Sequence, residues 1–385
     1  MQFKTIKMIP LAAALTFAFA GTASADDTVV KIGHVGPLSG PSAQLGKDNE
    51  NGARVAIDEL NTKGVTLGGK KVKFELLAED DGGDPKQGTA AAQKLVDAKV
   101  NGVIGHLNSG TTIPASKIYH DAGIPQISPS ATNPKYTQQG YETAFRVCAN
   151  DGQLGGTLGR YAVQVNKAKK VAVIDDATAY GQGVAAEFTK GAKSKSAGVE
   201  IVATEHTTDK ATDFNAILTK IKATNPDVIF FGGMDSVAGP MLRQMKSLGI
   251  NAKFMGGDGI CTEEQLPKLA GDALGDGQVV CAEAGGVEDA GKKAVEDWKA
   301  AYKKKFGIDV QIYAPYVYDA VMTMVQAMKE ANSAEPAKYL PFLAKIKHHG
   351  VTGDIEFDAH GDMKNGTMTL YTYKGGKREV IAVTH

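Results

Sequence analysis

VIGHLNSGTTIPASKIYHDAGIPQISPSAT, residues 103–132, decides the fold class. Apolar runs at 102–107 and 124–127 are each the length of a buried strand, and a helix-like segment at 114–121 separates them. Each run empties into small hydroxyl residues: Asn108-Ser109-Gly110-Thr111-Thr112 after the first, Ser128-Pro129-Ser130-Ala131-Thr132 after the second. Strand, loop, helix, strand, loop is the order of a parallel α/β sheet, where ligands bind off the carboxyl ends of the strands. Ser109, Ser130 and Thr132 fall at those ends. They bring hydroxyls and backbone N–H groups but no strong base, thiol or metal ligand, which suits holding a small carboxylate rather than reacting with it. Ser109 and Thr111 also read as caps of the following helix. The two roles are compatible, because the N–H groups and dipole of a helix start attract a carboxylate.

The alternation extends in both directions. Strands are expected at 29–35 and 72–78, with helices at 43–63 and 84–98. After a polar, Gly-rich passage at 149–156 the pattern restarts, with helices at 154–165, 183–197, 214–223 and 238–248 between strands at 170–174, 200–205, 228–232 and 253–256. Helices at 292–306 and 313–331 follow, and 367–383, turning at Gly375-Gly376, reads as a terminal hairpin. This predicts parallel sheets with helices on both faces. The first 25 residues stand outside the pattern. Lys4 and Lys7, an apolar stretch at 9–21 and Ala23-Ser24-Ala25 read as an export leader cut before Asp26. The stretch is short for a membrane span, and no later run approaches about 18 apolar residues. The rest is too long for one comfortable core and suits two lobes.

Lys and Arg together number 43 against 43 Asp and Glu, interspersed, so neither nucleic acid nor an anionic membrane is an expected partner. In an exported chain, Cys261 and Cys281, flanking a short helical piece, are expected to form a disulfide closing a loop worth roughly 3 kcal/mol. Cys148 then reads as a buried apolar residue. Gly181-Gln182-Gly183-Val184-Ala185-Ala186 fits the dinucleotide fingerprint, with Glu205 near its acidic position. That fingerprint should follow its strand at once; here Asp176-Ala177-Thr178-Ala179-Tyr180 intervene, so no cofactor is expected. His34, His106, His120, His206, His348 and His349 lie without a nucleophile at useful spacing, and there is no G-x-S-x-G elbow. No metal site and no enzymatic activity are expected.

Gly36-Pro37-Leu38-Ser39-Gly40, Ile104-Gly105-His106 with Ser109, Pro129-Ser130-Ala131-Thr132, Tyr180-Gly181-x-Gly183, Phe254-Met255-Gly256 and Gly361-Asp362 occur in this order. Together they resemble the periplasmic leucine/isoleucine/valine-binding proteins of bacterial ABC importers, the type I periplasmic binding proteins. The resemblance covers nearly the whole chain after the leader. It implies two Rossmann-like α/β lobes joined by a three-segment hinge, closing on an amino acid that a membrane permease then receives. The implied division is 26–148 with 282–353 for the carboxylate-binding lobe and 149–281 with 354–385 for the ammonium-binding lobe, in a periplasmic monomer. Carried over residue by residue, Ser109, Ser130 (through its backbone), Ala131 and Thr132 take the carboxylate end. Tyr180 lines the second-lobe side, and Asp258 takes the ammonium where leucine binders carry the longer Glu. Leu45 and Met234 stand where those proteins have tyrosines, and Gly83 and Asn108 where some have a cysteine pair. The implied ligand is a small amino acid, aliphatic or branched; another amino acid, a short amide, or a sensing role with the same clamshell are the alternatives.

Overall fold

The computed structural model describes residues 1–2, 28–194, 198–286 and 289–384; the expected leader, apart from its first two residues, lies outside them. Thr28–Gly36 buries Val30, Ile32 and Val35 and lies between Lys70–Asp80 and Gly102–Gly105, parallel to both. Gln126–Ser128 and Ala144–Arg146 extend the parallel run, and Val65–Leu67 adds an antiparallel edge. The second sheet runs parallel through Glu200–His206, Lys170–Asp175, Val228–Gly232, Lys253–Gly256 and Val279–Glu283. It ends in the antiparallel hairpin Met368–Lys374 and Lys377–Thr384. Gly375 and Gly376 take φ of 55° and 72°, the left-handed pair that a two-residue hairpin turn needs.

Each sheet has its own core. Ile32, Ile104 and Ile127 pack with Val317, Val321 and Met324 of helix Ala314–Glu330. Val171, Phe230 and Phe254 pack with Leu158 of helix Asp151–Gln164 and Phe188 of helix Ala179–Ser194. The chain crosses between the sheets after Arg146, after Glu283 and before Met368. Two expected seams therefore move. Ala282 and Glu283 pair with Leu370 and Thr369 and stay with the second sheet, while Ile355 and Phe357 complete the first core. Cys261 and Cys281 are disulfide-bonded, and Cys148 is a buried free thiol. Among the described residues no helix is long and apolar enough to cross a membrane.

The helix expected at 114–121 starts at Ser109, with Pro114 inside it: the Ser-Gly-Thr-Thr run winds as its first turns after Asn108. The helix expected from Gly183 starts at Ala179, so Tyr180 and the Gly181-x-Gly183 pair are helical rather than a phosphate-cradling loop. The helix expected from Leu154 starts at Asp151, because Asn150 and Gln153 form a reciprocal capping box.

Candidate functional site

The carboxyl ends of both sheets face one cleft. From the first sheet, Gly102–Gly105 leads to Ser109 and Gln126–Ser128 to the loop 129–133. From the second, Lys170–Asp175 leads to Tyr180, Val228–Gly232 to Met234 and Lys253–Gly256 to Asp258. Between them lies a cavity of about 220 Å³ lined by Leu107, Asn108, Ser109, Ser130, Tyr180, Met234, Asp258 and Tyr313. Five of the eight site positions expected from sequence are on that wall; Leu45, Ala131 and Thr132 stand behind it. Leu45, in the first turn of helix Ala43–Lys63, is buried in the apolar cluster that also holds Leu107, Cys148, Tyr180 and Met234.

The first-lobe side is a helix start and a tightly bonded loop. Ser109 occupies the first turn of its helix, where backbone N–H groups lack intrahelical partners, and its Oγ accepts the Asn133 N–H at 3.2 Å. The Ser130 hydroxyl donates to the Leu107 carbonyl at 3.1 Å. Ala131 offers the cavity neither polar group: its N–H donates to Ser128 Oγ at 2.9 Å, and its carbonyl accepts from Arg146 Nη1 at 2.6 Å. The fully buried Arg146 also reaches the Asn133 carbonyl and the Thr137 hydroxyl, and forms an ion pair with Asp362 at 2.6 Å. Asp362 in turn accepts from Asn150 Nδ2 at 3.0 Å. One buried pair thus ties the first-lobe loop to two of the crossing segments, which gives Gly361-Asp362 a structural role.

The second-lobe side is acidic. Asp258 Oδ1 accepts from the Tyr180 hydroxyl at 2.8 Å and the Gly259 N–H at 3.1 Å, and Oδ2 accepts from the Tyr313 hydroxyl at 3.1 Å. The flanking glycines permit this approach, since a Cβ on Gly257 would sit 2.5 Å from the Tyr180 hydroxyl. Burial pushes the Asp258 carboxyl up to about 6, against the donated hydrogen bonds.

On the cavity wall Leu107, Asn108 and Tyr313 were not foreseen as ligand contacts, nor was Asp151, which lies outside it. Asp151, in the first turn of helix Asp151–Gln164, is fully buried with its carboxyl toward the Thr132 hydroxyl. Burial pushes it up to about 8, with Thr132 acting against the rise and the Asp258 charge adding to it. The buried Thr132 hydroxyl makes no other hydrogen bond. Tyr313 comes from the first-lobe side: Asp48 on helix Ala43–Lys63 accepts from the N–H groups of Ile312, Tyr313 and Ala314 at 3.0–3.2 Å and so fixes where the phenol points. The Asn150…Gln153 capping box signalled a helix start at Asp151, but nothing local marks Tyr313, which is brought in by chain crossing. The desolvated Asp258 carboxylate between two phenolic hydroxyls can receive a cation, facing a helix start that favours an anion. No nucleophile–base pair accompanies them.

The profile of the periplasmic binding protein family matches residues 29–377. The Leu/Ile/Val-binding protein homolog 1 of Brucella abortus is 38% identical over 367 residues, 95% of each chain. The leucine-, isoleucine-, valine-, threonine- and alanine-binding protein of Pseudomonas aeruginosa is 35% identical over 97% of each chain. The crystal structure of the branched-chain amino acid transporter substrate binding protein LivJ from Streptococcus pneumoniae, in complex with isoleucine, superposes with a TM-score of 0.82 at 29% identity, covering 92% of this chain and 99% of that one.

Proposed function

The chain belongs to the periplasmic binding protein family, and from that membership and the charge layout of the cleft we propose that it is an exported, non-catalytic solute receptor. It captures a small α-amino acid, aliphatic or branched, between its lobes as a monomer and hands it to an ABC permease. The observation that carries this reading is the split of charge preference across one buried cavity. The helix start at Ser109 and the hydroxyls of the first lobe suit a carboxylate, and Asp258 on the second-lobe side suits an ammonium. Neither lobe alone satisfies both ends of a zwitterion, so the closed arrangement is favoured by the ligand's differential affinity for it. Leu107 and Met234 supply an apolar wall, where burying an aliphatic side chain contributes about 1.5–3 kcal/mol. The names of the Brucella, Pseudomonas and Streptococcus proteins support the ligand class; the Pseudomonas protein's threonine and alanine support a range wider than leucine, isoleucine and valine.

The test is titration calorimetry of refolded protein against the common amino acids, paired with small-angle scattering. The expected result is tight binding of at least one aliphatic amino acid with a more compact profile on saturation. No binding across the panel, or overlaid profiles for a tight binder, overturns the reading.

A further inference from the structure

The space between the lobes does not end at Met234. A larger compartment of about 1200 Å³, open to solvent, adjoins the inner cavity, and Asn108, Tyr180 and Met234 line both. Of these three, Tyr180 is held by hydrogen bonds to Asp258 and Gly259. Met234 is an unbranched thioether with three rotatable bonds, the movable part of the partition. No aromatic residue other than Tyr180 lines the outer compartment; Ser42, Asn108, Asp176, Thr178 and Ser236 give it polar walls from both lobes.

Asp209 and Lys210 on the exposed rim of the outer compartment bring one charge of each sign, and its buried unpaired groups share one. Among the lining residues, the buried side-chain atoms without a partner are Asn108 Oδ1 and Asp176 Oδ2, both acceptors. Asp176 is 2% exposed, and its other oxygen already accepts the Thr178 N–H at 3.0 Å and the Thr178 hydroxyl at 2.6 Å. Buried polar groups are nearly always paired, so the partner these oxygens lack is a hydrogen-bond donor. We propose that the outer compartment receives the far end of a longer ligand. That ligand is an α-amino acid with an unbranched side chain ending in a donor, an amide or an ammonium group, its α-carbon end seated in the inner cavity. The proposal rests on the amino-acid reading above and extends it past short aliphatic side chains.

The experiment titrates refolded wild type with isoleucine, norleucine, glutamine, lysine and glutamate. Norleucine is expected within about tenfold of isoleucine in affinity, and glutamine or lysine at least about tenfold tighter than glutamate. Which of the two leads tells amide from ammonium. Asp176→Asn keeps the oxygen that Thr178 uses and replaces the orphan acceptor by a donor, so it should cut the preference for the donor ligand over glutamate by at least about fivefold. Thr208→Trp, on the exposed rim, narrows the mouth of the compartment and leaves the Asp176 and Thr178 side chains in place. It should weaken norleucine and the donor ligand at least about tenfold and leave isoleucine unchanged. If isoleucine binds wild type while all the longer ligands bind about a hundredfold more weakly, this inference falls and the amino-acid reading stands. Wild-type preferences surviving in both variants overturn it equally, and a wild type that binds nothing in the panel overturns both.

Discussion

Asp258→Asn removes a buried charge and keeps its shape, and affinity and stability should respond with opposite signs. The Asn oxygen can still accept from Tyr180 and the Gly259 N–H, and its amide can donate to the Tyr313 oxygen once that phenol rotates its proton away. In the folded chain burial raises Asp258 from 3.8 to about 6. Between those values the folded state binds more protons than the unfolded one, so stability falls as pH rises from about 4 to about 6 and stays reduced above. The difference corresponds to roughly 3 kcal/mol at neutral pH, which the neutral amide does not incur. Ligand-free Asp258→Asn should therefore melt several degrees above wild type at about pH 7.5, with the gap closing near pH 4. Binding should move the other way. Losing a charge-assisted hydrogen bond to an ammonium costs about 1.5–3 kcal/mol, a rise in Kd of roughly tenfold to a hundredfold. Calorimetry and thermal melting of refolded protein read both. A variant that binds isoleucine as wild type does, or that is less stable than wild type at neutral pH, refutes the reasoning.

Affinity should also rise with pH through about 6, because Asp258 must release its proton to receive an ammonium; a flat profile there removes it from the site. Tyr313→Phe takes away one donor that reaches the Asp258 carboxylate from the opposite lobe, and its net cost of about 1.5–3 kcal/mol should raise Kd roughly tenfold to a hundredfold, read by calorimetry. Arg146→Met leaves Asp362 and two carbonyls without their cation, and urea unfolding should show a loss of about 3–5 kcal/mol. Cys281→Ser opens the loop closed by the disulfide and should lose about 3 kcal/mol by the same measurement, while thiol titration of unreduced, denatured wild type should find Cys148 alone.

Most of the parallel core could be read from apolar runs bounded by turn residues, because a strand buried on both faces has no other composition open to it. Short strands were harder. Ala144–Arg146 is too brief to show a period, and Val279–Glu283, with Cys281 at its centre, was not read as a strand. Three helix starts moved toward the N-terminus because small polar residues, Ser109, Asp151 and Asp235, were read as loop and wind as the first turn; a fourth moved by taking in Ala179, Tyr180, Gly181 and Gln182. Ser109 and Ser130 were visible because each lies just past an expected strand end, whereas Tyr180, Met234 and Asp258 were carried over from the family resemblance. Asp151 and Tyr313 were visible in neither way, since the first opens a helix after a crossing and the second precedes a helix far along the chain.

Tyr313 also shows how the two halves of the cleft are coupled. Its backbone is fixed to the first lobe by Asp48, and its hydroxyl ends on Asp258, a second-lobe carboxylate. Asn133 makes a second link, donating to the Ala179 carbonyl at 2.6 Å. The Tyr316 hydroxyl also donates to Glu283 and the Asp151 N–H to the Thr132 carbonyl, both at 2.8 Å; the bonds that end on carboxylates contribute about 1.5–3 kcal/mol each and the amide bonds about 0.5–1.5. An ammonium at Asp258 adds a charge-assisted contact on the second-lobe side, and it does so only while its carboxylate end is held on the first. The ligand's leverage on closure is then the sum of a charged grip on each lobe, about 3–6 kcal/mol, added to direct links of similar size. A differential of that size is about what carries a two-state balance from one side to the other, so a small solute can decide which state the lobes occupy.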